Sequence, residues 1–139
     1  MQKISTLLEE AFSKLGFQYI HFEDKNYFTI DFKLKDGNKL PLWLFYTEKS
    51  AVILLPIVMV NDLPAEIDEA ELYKRLLEGS LEVSGAAYSV SKDGMLVSFT
   101  ELDMSRISSV ESVGLGIKSV ITGYAYFLDN ILPTILKKE

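Results

Sequence analysis

Two adjacent apolar runs decide the fold of this chain: LPLWLFY at residues 40–46 and AVILLPIVMV at residues 51–60. The polar stretch Glu48-Lys49-Ser50 separates them and supplies a turn, so the two runs predict a β-hairpin. Successive side chains of a strand point to opposite faces of the sheet, and in both runs both sets of alternate positions are apolar. The predicted hairpin is therefore apolar on both faces, whereas one layer of helices covers only one face.

Further strands are predicted on either side of this hairpin. Residues 27–34 alternate apolar and polar side chains, which is typical of a half-buried strand, and Asp36-Gly37-Asn38 provides the next turn. Residues 86–91 and 95–100 predict two more strands, because the turn signal Asp93-Gly94 joins them. These tight connections indicate an antiparallel sheet.

Helical spacing marks three other segments of the chain. Residues 4–15 carry apolar side chains at intervals of three and four and stop at Gly16, after which 17–22 is a short extended piece. Helices are also predicted at 67–78 and 105–132, with Pro133 ending or kinking the last one. The predicted fold is a single α+β domain over residues 1–139, in the order α-β-β-β-α-β-β-α, with the helices mainly on one face of an antiparallel sheet.

Composition and charge argue against several classes of function. The net charge is −6 and the pI is about 4.8, whereas nucleic-acid binding requires a basic surface. The longest apolar run has ten residues, from Ala51 to Val60, and a membrane-spanning helix needs about 20. Charged residues interrupt the apolar residues of segment 1–15, which does not suit a secretory signal. The absence of cysteine fits the reducing cytoplasm, where we expect the protein to act.

No set of residues in the sequence nominates a reaction. The single histidine, His21, is interpreted as a surface residue at a strand end, and Gly114-Leu115-Gly116 lies within a helical pattern, not in a phosphate-binding loop. Adjacent carboxylates such as Glu9-Glu10 fall on polar helix faces, where they do not form an acid–base pair in a cleft. We therefore expect no enzyme, no cofactor and no metal site.

An acidic segment spans residues 62–82. It contains seven acidic residues against Lys74 and Arg75, a net charge of −5. This segment is either a solvated helix face or a surface that steers a basic partner.

The second apolar face of the hairpin needs a cover of its own. The alternatives are a helix of the same chain or a local twist, a second subunit, or a bound segment of a partner protein. Pro56 indicates a strand edge or a β-bulge, because proline cannot donate a ladder hydrogen bond. The candidate partner-binding residues are Trp43, Phe45, Val52, Leu54 and Val58.

The last helix carries two pairs of small residues at a spacing of four, Ser112 with Gly116 and Ser119 with Gly123, which lets another backbone approach closely. Gly116, Ser119 and Gly123 predict either close packing on the protein's own sheet, the favoured alternative, or the seam of a dimer. A second hypothesis for function uses the same region: a small apolar ligand bound between the sheet and this helix, with Tyr124 and Tyr126 lining its pocket.

Three consecutive stretches resemble a known family: LLEGSL at 76–81, GAAYSV at 85–90 and KDGMLV at 92–97. Together with the long last helix they resemble the type III secretion chaperone-like fold and its YbjN-type relatives. The resemblance implies a small, acidic, cytoplasmic homodimer that binds extended segments of partner proteins without ATP. A non-enzymatic, chaperone-like protein that binds a client or a second subunit is therefore the function expected from the sequence.

Overall fold

The computed structural model describes residues 4–83, 85–103 and 110–136. Within these ranges six strands form one antiparallel sheet in the order β1-β2-β3-β4-β6-β5. The strands are β1 (Gln18–Phe22), β2 (Tyr27–Lys33), β3 (Lys39–Tyr46), β4 (Ser50–Met59), β5 (Ala87–Val90) and β6 (Met95–Asp103). The helices are α1 (Ile4–Leu15), α2 (Glu69–Glu82) and α3 (Val110–Tyr126), which continues through a π-helical turn (Phe127–Ile131) into α4 (Leu132–Leu136).

The predicted α+β class and the antiparallel sheet are confirmed, with one strand more than the predicted order contained. The extended piece at 17–22 forms β1 and pairs with β2 along its whole length. Two backbone reversals make this pairing possible. Gly16 ends α1 with φ of 80°, and Asn26 turns the chain between β1 and β2 with φ of 59°.

One face of the sheet, the inner face, is covered by helices and holds the core. Helices α1 and α3 pack on its first part, where Leu8 and Phe12 of α1 are fully buried with Leu42 and Leu44 of β3. Helix α2 and the C-terminal helix cover the second part, around the fully buried Leu96 of β6. None of the helices in the described residues is long and apolar enough to cross a bilayer.

A β-bulge interrupts β4 at Pro56. This strand lies between β3 and β6, and its register with β6 shifts between Pro56 and Val58, so the bulge is the reason that proline is tolerated here. The extra residue changes the face to which the following side chains point. Val58 lies opposite the buried Leu96 and packs against the inner core, whereas strict alternation had predicted it on the same face as Trp43.

The two later helices differ in length from their predicted spans. The Asp68 carboxylate caps α2 by accepting a hydrogen bond from the Ala70 N–H at 3.0 Å, so this helix starts later than predicted. It also runs one turn past Glu78.

The last helix differs from its prediction at both ends. The predicted start, at 105, lies outside the described residues, and the helical backbone continues past Pro133. Because Pro133 has no N–H for the Asp129 carbonyl, the turn before it widens to π geometry.

Candidate partner-binding face of the sheet

The face of the sheet opposite α1 and α3, the outer face, carries a continuous apolar surface. Register pairs align one row across it: Ile20 of β1, Thr29 of β2, Trp43 of β3, Leu54 of β4 and Phe99 of β6. A parallel row consists of Phe22, Tyr27, Phe45 and Val52 and ends at Glu101. These two rows cross five strands, β1 to β4 and β6, and are apolar except at Thr29 and Glu101.

Four aromatic side chains form one contact cluster in the middle of the outer face. The rings of Phe22 and Tyr27 stack with their centroids 4.6 Å apart, and Tyr27 lies 6.0 Å from Trp43 and 5.3 Å from Phe45. Trp43 and Phe45 are 5.9 Å apart. These contacts hold the rings in a fixed arrangement in which the conformational freedom lost on binding a partner is small.

Solvent reaches the outer face. Trp43 is 41% exposed and Ile20 is 59% exposed. Within the described residues no helix packs over these side chains, because the helices that contact the core do so on the inner face. A helix of the same chain, one of the predicted covers, is therefore absent from the described part of the molecule at this place.

Four of the five predicted partner-binding residues lie together on the outer face, namely Trp43, Phe45, Val52 and Leu54. Val58 does not, because of the bulge. The prediction missed Ile20, Phe22, Tyr27 and Phe99, which extend the surface to β1, β2 and β6. Of these four residues, only Phe22 and Tyr27, the aromatic pair that flanks the β1–β2 turn, could have been recognised from the local sequence.

The small residues of α3 are used inside the subunit. A Cβ added to Gly116 would lie 3.0 Å from Ile53 Cδ1, and one added to Gly123 would overlap the Ser98 hydroxyl. Ser119 lies against Gly85. This face of α3 packs on its own sheet, so a dimer seam through Gly116, Ser119 and Gly123 has no exposed surface to use.

The same close packing bears on a ligand between the sheet and the last helix. Gly116 and Gly123 are buried against side chains of the sheet. A methyl group added at either glycine would lie closer to those side chains than the usual van der Waals contact distance. Tyr124 packs against the first core cluster, and Tyr126 contacts the second. These residues fill the interface and do not frame a cavity for an apolar ligand.

The Tyr88 hydroxyl is one polar group inside this interface. It donates a hydrogen bond of 2.6 Å to the Gly123 carbonyl, which fixes α3 to β5. Burial, with a smaller contribution from Tyr126, raises the pKa of Tyr88 well above its ordinary value of 10.0. Tyr88 therefore remains a neutral donor at physiological pH.

His21 is not the surface residue that the sequence suggested. Its Nδ1 lies 3.0 Å from Glu9 Oε2 of α1, and its Nε2 lies 2.7 Å from the Tyr46 hydroxyl of β3. The imidazole stacks on Phe28 with a centroid distance of 4.2 Å. The cluster links α1 to the sheet. Burial raises the pKa of Tyr46 above its ordinary value of 10.0, while a hydrogen bond with Ser5 acts in the opposite direction and lowers it.

Among the described residues, no three His, Cys, Asp or Glu side chains are grouped as a metal site.

A second exposed apolar surface runs along α2. Tyr73, Leu77 and Leu81 occur at intervals of four on its solvent side, and we call them the α2 stripe; Leu77 is 72% exposed and Leu81 is 89% exposed. Beside the stripe, Arg75 pairs with Glu71 at 2.8 Å. The stripe lies within the acidic segment, so its surroundings carry a net negative charge.

Comparison with known proteins relates the chain to solved structures alone. No family model matches the sequence, and no curated protein matches it. Three similar structures are a chain of the HopA1–SchA chaperone–effector complex, the Yersinia pestis type III secretion chaperone SycH in complex with a fragment of YscM2, and the ExoU–SpcU heterodimer of the Pseudomonas aeruginosa type III secretion system.

The agreement with these structures extends over most of each chain. The HopA1–SchA match has a TM-score of 0.60 at 17% identity and covers 87% of this chain and 89% of that one. The SycH match has a TM-score of 0.59 at 18% identity and covers 87% of this chain and 96% of that one. The ExoU–SpcU match has a TM-score of 0.62 at 12% identity and covers 87% of this chain and 94% of that one. This chain shares the fold of type III secretion chaperones, as its sequence stretches had suggested.

Proposed function

We propose that this protein is a non-enzymatic, chaperone-like module that binds an extended apolar segment of a partner polypeptide on the outer face of its sheet. The observation that carries the proposal is the exposed aromatic cluster around Trp43, on a face that no described helix covers. Large exposed apolar patches are rare on monomers and mark interaction surfaces. The chaperone complexes that share the fold support the same class of function.

The energetics of the outer face suit a peptide segment. Trp43 retains 41% of its surface in the free protein, so a partner that covers it removes on the order of 100 Å² from water. At about 25 cal/mol per Å², this burial contributes about 2.5 kcal/mol before the cost of ordering the partner. Phe45, Val52 and Leu54 are half-buried and add smaller contributions, so a segment that contacts all four gains most of its binding energy at Trp43.

The absence of catalysis is part of the proposal. His21 meets Glu9 and Tyr46, which are residues of a catalytic type, but the three are joined by hydrogen bonds that fasten α1 to β1 and β3. This arrangement explains their proximity as a structural role. We also place the protein in the cytoplasm, in keeping with its lack of cysteine.

A homodimer belongs to the same proposal, with the α2 stripe as its interface. Leu77 and Leu81 are among the most exposed large apolar side chains of the described residues, and Leu77 lies at the centre of the stripe. Because Tyr73 and Leu81 are four residues on either side of Leu77, two antiparallel copies of α2 bring Tyr73 of each next to Leu81 of the other. Such self-complementarity is what a two-fold interface requires.

The single tryptophan makes the proposal directly testable, since the tryptophan emission of the protein comes from Trp43 on the outer face. A synthetic nine-residue peptide that alternates valine or phenylalanine with serine is titrated into the protein. We expect a blue shift of the emission, reduced acrylamide quenching and saturable binding. The Leu54→Asp variant should lose this response, and Leu115→Asp, at an exposed site on α3, should retain it. An unchanged spectrum at saturating peptide concentration would contradict the proposal.

A further inference from the structure

Two lysines lie directly opposite each other at one end of the outer face. Lys33 closes β2 and Lys39 opens β3, and the two are register partners. Each is an even number of residues from Thr29 or Trp43 on its own strand, so both side chains belong to the outer face. Among the residues that the structure describes, neither ammonium group has a carboxylate within ion-pair distance.

This arrangement lowers the stability of the free protein, because like charges directly opposite each other on a sheet repel. Asp31, the acidic residue nearest in register, lies opposite Pro41 and forms no ion pair with either lysine in the described structure. The lysines and Asp31 line a groove of about 510 Å³, together with Phe17 and Gln18. No residue of the apolar row that contains Trp43 lines this groove; its members Gln18 and Asp31 form the next row of the sheet toward the lysines.

The opposite end of the outer face is acidic. Glu101 of β6 follows Val52 in the second apolar row, and Asp103 lies opposite Ser50 one row further. Phe45 lies in the same row as Glu101 and is six positions from Lys39 along β3. The lysine end and the acidic end of the outer face are therefore about 20 Å apart along the strands. This distance exceeds the Debye length of about 8 Å at physiological ionic strength, and the two ends act on a partner independently.

We propose that the partner segment bound by the outer face is acidic at one end, and that its carboxylates pair with Lys33 and Lys39 while its apolar residues cover Trp43. The inference rests on the proposed function and names the chemistry of its partner. Trp43 lies four residues from Lys39 on β3, a distance of about 13 Å. The carboxylates of an extended partner therefore precede or follow, by about four residues, the apolar residue that meets Trp43.

The chemistry of the site selects an acidic peptide over other anions. A nucleic acid would have to approach a chain of net charge −6, and a small inorganic anion would gain nothing from the adjacent apolar rows. An acidic and apolar peptide gains from both. It also removes the repulsion between Lys33 and Lys39, so its binding relieves a cost that the free protein carries.

Two peptides with the same apolar centre test the inference, one with two glutamates at one end and one with two glutamines there. Fluorescence anisotropy at low salt should give about fivefold to tenfold tighter binding of the glutamate peptide, a preference that weakens as salt is raised. The Lys33→Glu/Lys39→Glu variant should lose the preference. The control Lys74→Glu/Lys118→Glu changes the net charge equally, away from the outer face, and should keep it.

A third variant separates binding from folding. Lys39→Gln removes the repulsion, so its melting temperature should rise while its affinity for the glutamate peptide falls. Equal binding of both peptides by the natural protein, with binding still abolished by Trp43→Asp, would overturn the inference and leave the proposed function intact. A glutamate preference that survives Lys33→Glu/Lys39→Glu would also overturn it. Binding of both peptides that Trp43→Asp does not weaken would overturn the proposed function and the inference together.

Discussion

Trp43 and Leu44 are neighbours in β3 but occupy opposite environments: Leu44 is fully buried on the inner face, and Trp43 is 41% exposed on the outer face. The register pairs explain the difference. Leu44 lies opposite Phe28 and Ile53 in the core, whereas Trp43 lies opposite Thr29 and Leu54. One strand therefore contributes both to the stability of the fold and to the proposed binding surface.

Substitutions at these two neighbours should separate stability from binding. Leu44→Asp buries a carboxylate in the core and should cost more than about 4 kcal/mol of unfolding free energy. Trp43→Asp loses aromatic contacts at a site open to water and should cost about 1–2 kcal/mol. Urea unfolding measures both values. A Trp43→Asp loss as large as that of Leu44→Asp would mean that the outer face is part of the core.

The α2 stripe should control the oligomeric state. Leu77→Glu/Leu81→Glu introduces four negative charges into the proposed two-fold interface, so light scattering should report a monomer where the natural protein is a dimer. Because each α2 segment is acidic, the dissociation constant of the natural dimer should fall as salt screens the repulsion. Leu115→Glu, on exposed surface of α3, is the matched control and should leave the mass unchanged. If light scattering shows that Leu77→Glu/Leu81→Glu is still a dimer, the α2 stripe is not the dimer interface.

The glycines of α3 should respond differently to alanine. An added methyl group at Gly123 overlaps the Ser98 hydroxyl, so Gly123→Ala should destabilise the protein by about 1–3 kcal/mol. At Gly114 the same group would lie 3.4 Å from Leu15 Cδ2, an ordinary contact, and Gly114→Ala should stabilise the helix by up to about 1 kcal/mol. Thermal unfolding distinguishes them, and equal effects at the two positions would refute the close approach at Gly123.

Tyr88 should make stability depend on alkaline pH. Burial raises its pKa in the folded state above the ordinary value of 10.0, so between these two pKa values the unfolded chain binds fewer protons than the folded one. The contribution of Tyr88 is therefore fully present below about pH 10 and is lost as the pH rises further. Tyr88→Phe should be less stable by about 1 kcal/mol at pH 7, because the hydrogen bond to Gly123 is lost, and should decline less steeply above pH 10. Parallel alkaline slopes for the two proteins would rule out this role.

Hydrophobic alternation and turn residues were enough to predict the class of fold and most of its strands. The hairpin from 40 to 60 had to be apolar on two sides, because the alternation of side chains depends on strand geometry alone. The C-terminal end of helix α1 could be predicted, since its apolar stripe stops at Leu15 and Gly16 follows. Trp43, Phe45, Val52 and Leu54 followed from the same alternation and do lie together.

The remaining features depend on contacts between segments that are distant in the sequence. Pro56 indicated a strand edge or a β-bulge, but only the pairing of β4 with β6 shows that a bulge forms there and reverses the face of Val58. His21 acquired its partners, Glu9 and Tyr46, when α1 packed against the sheet. The exposed side of the hairpin was likewise selected by packing: α1 and α3 supply enough apolar surface to cover one face, and the rings around Trp43 stay in contact with water.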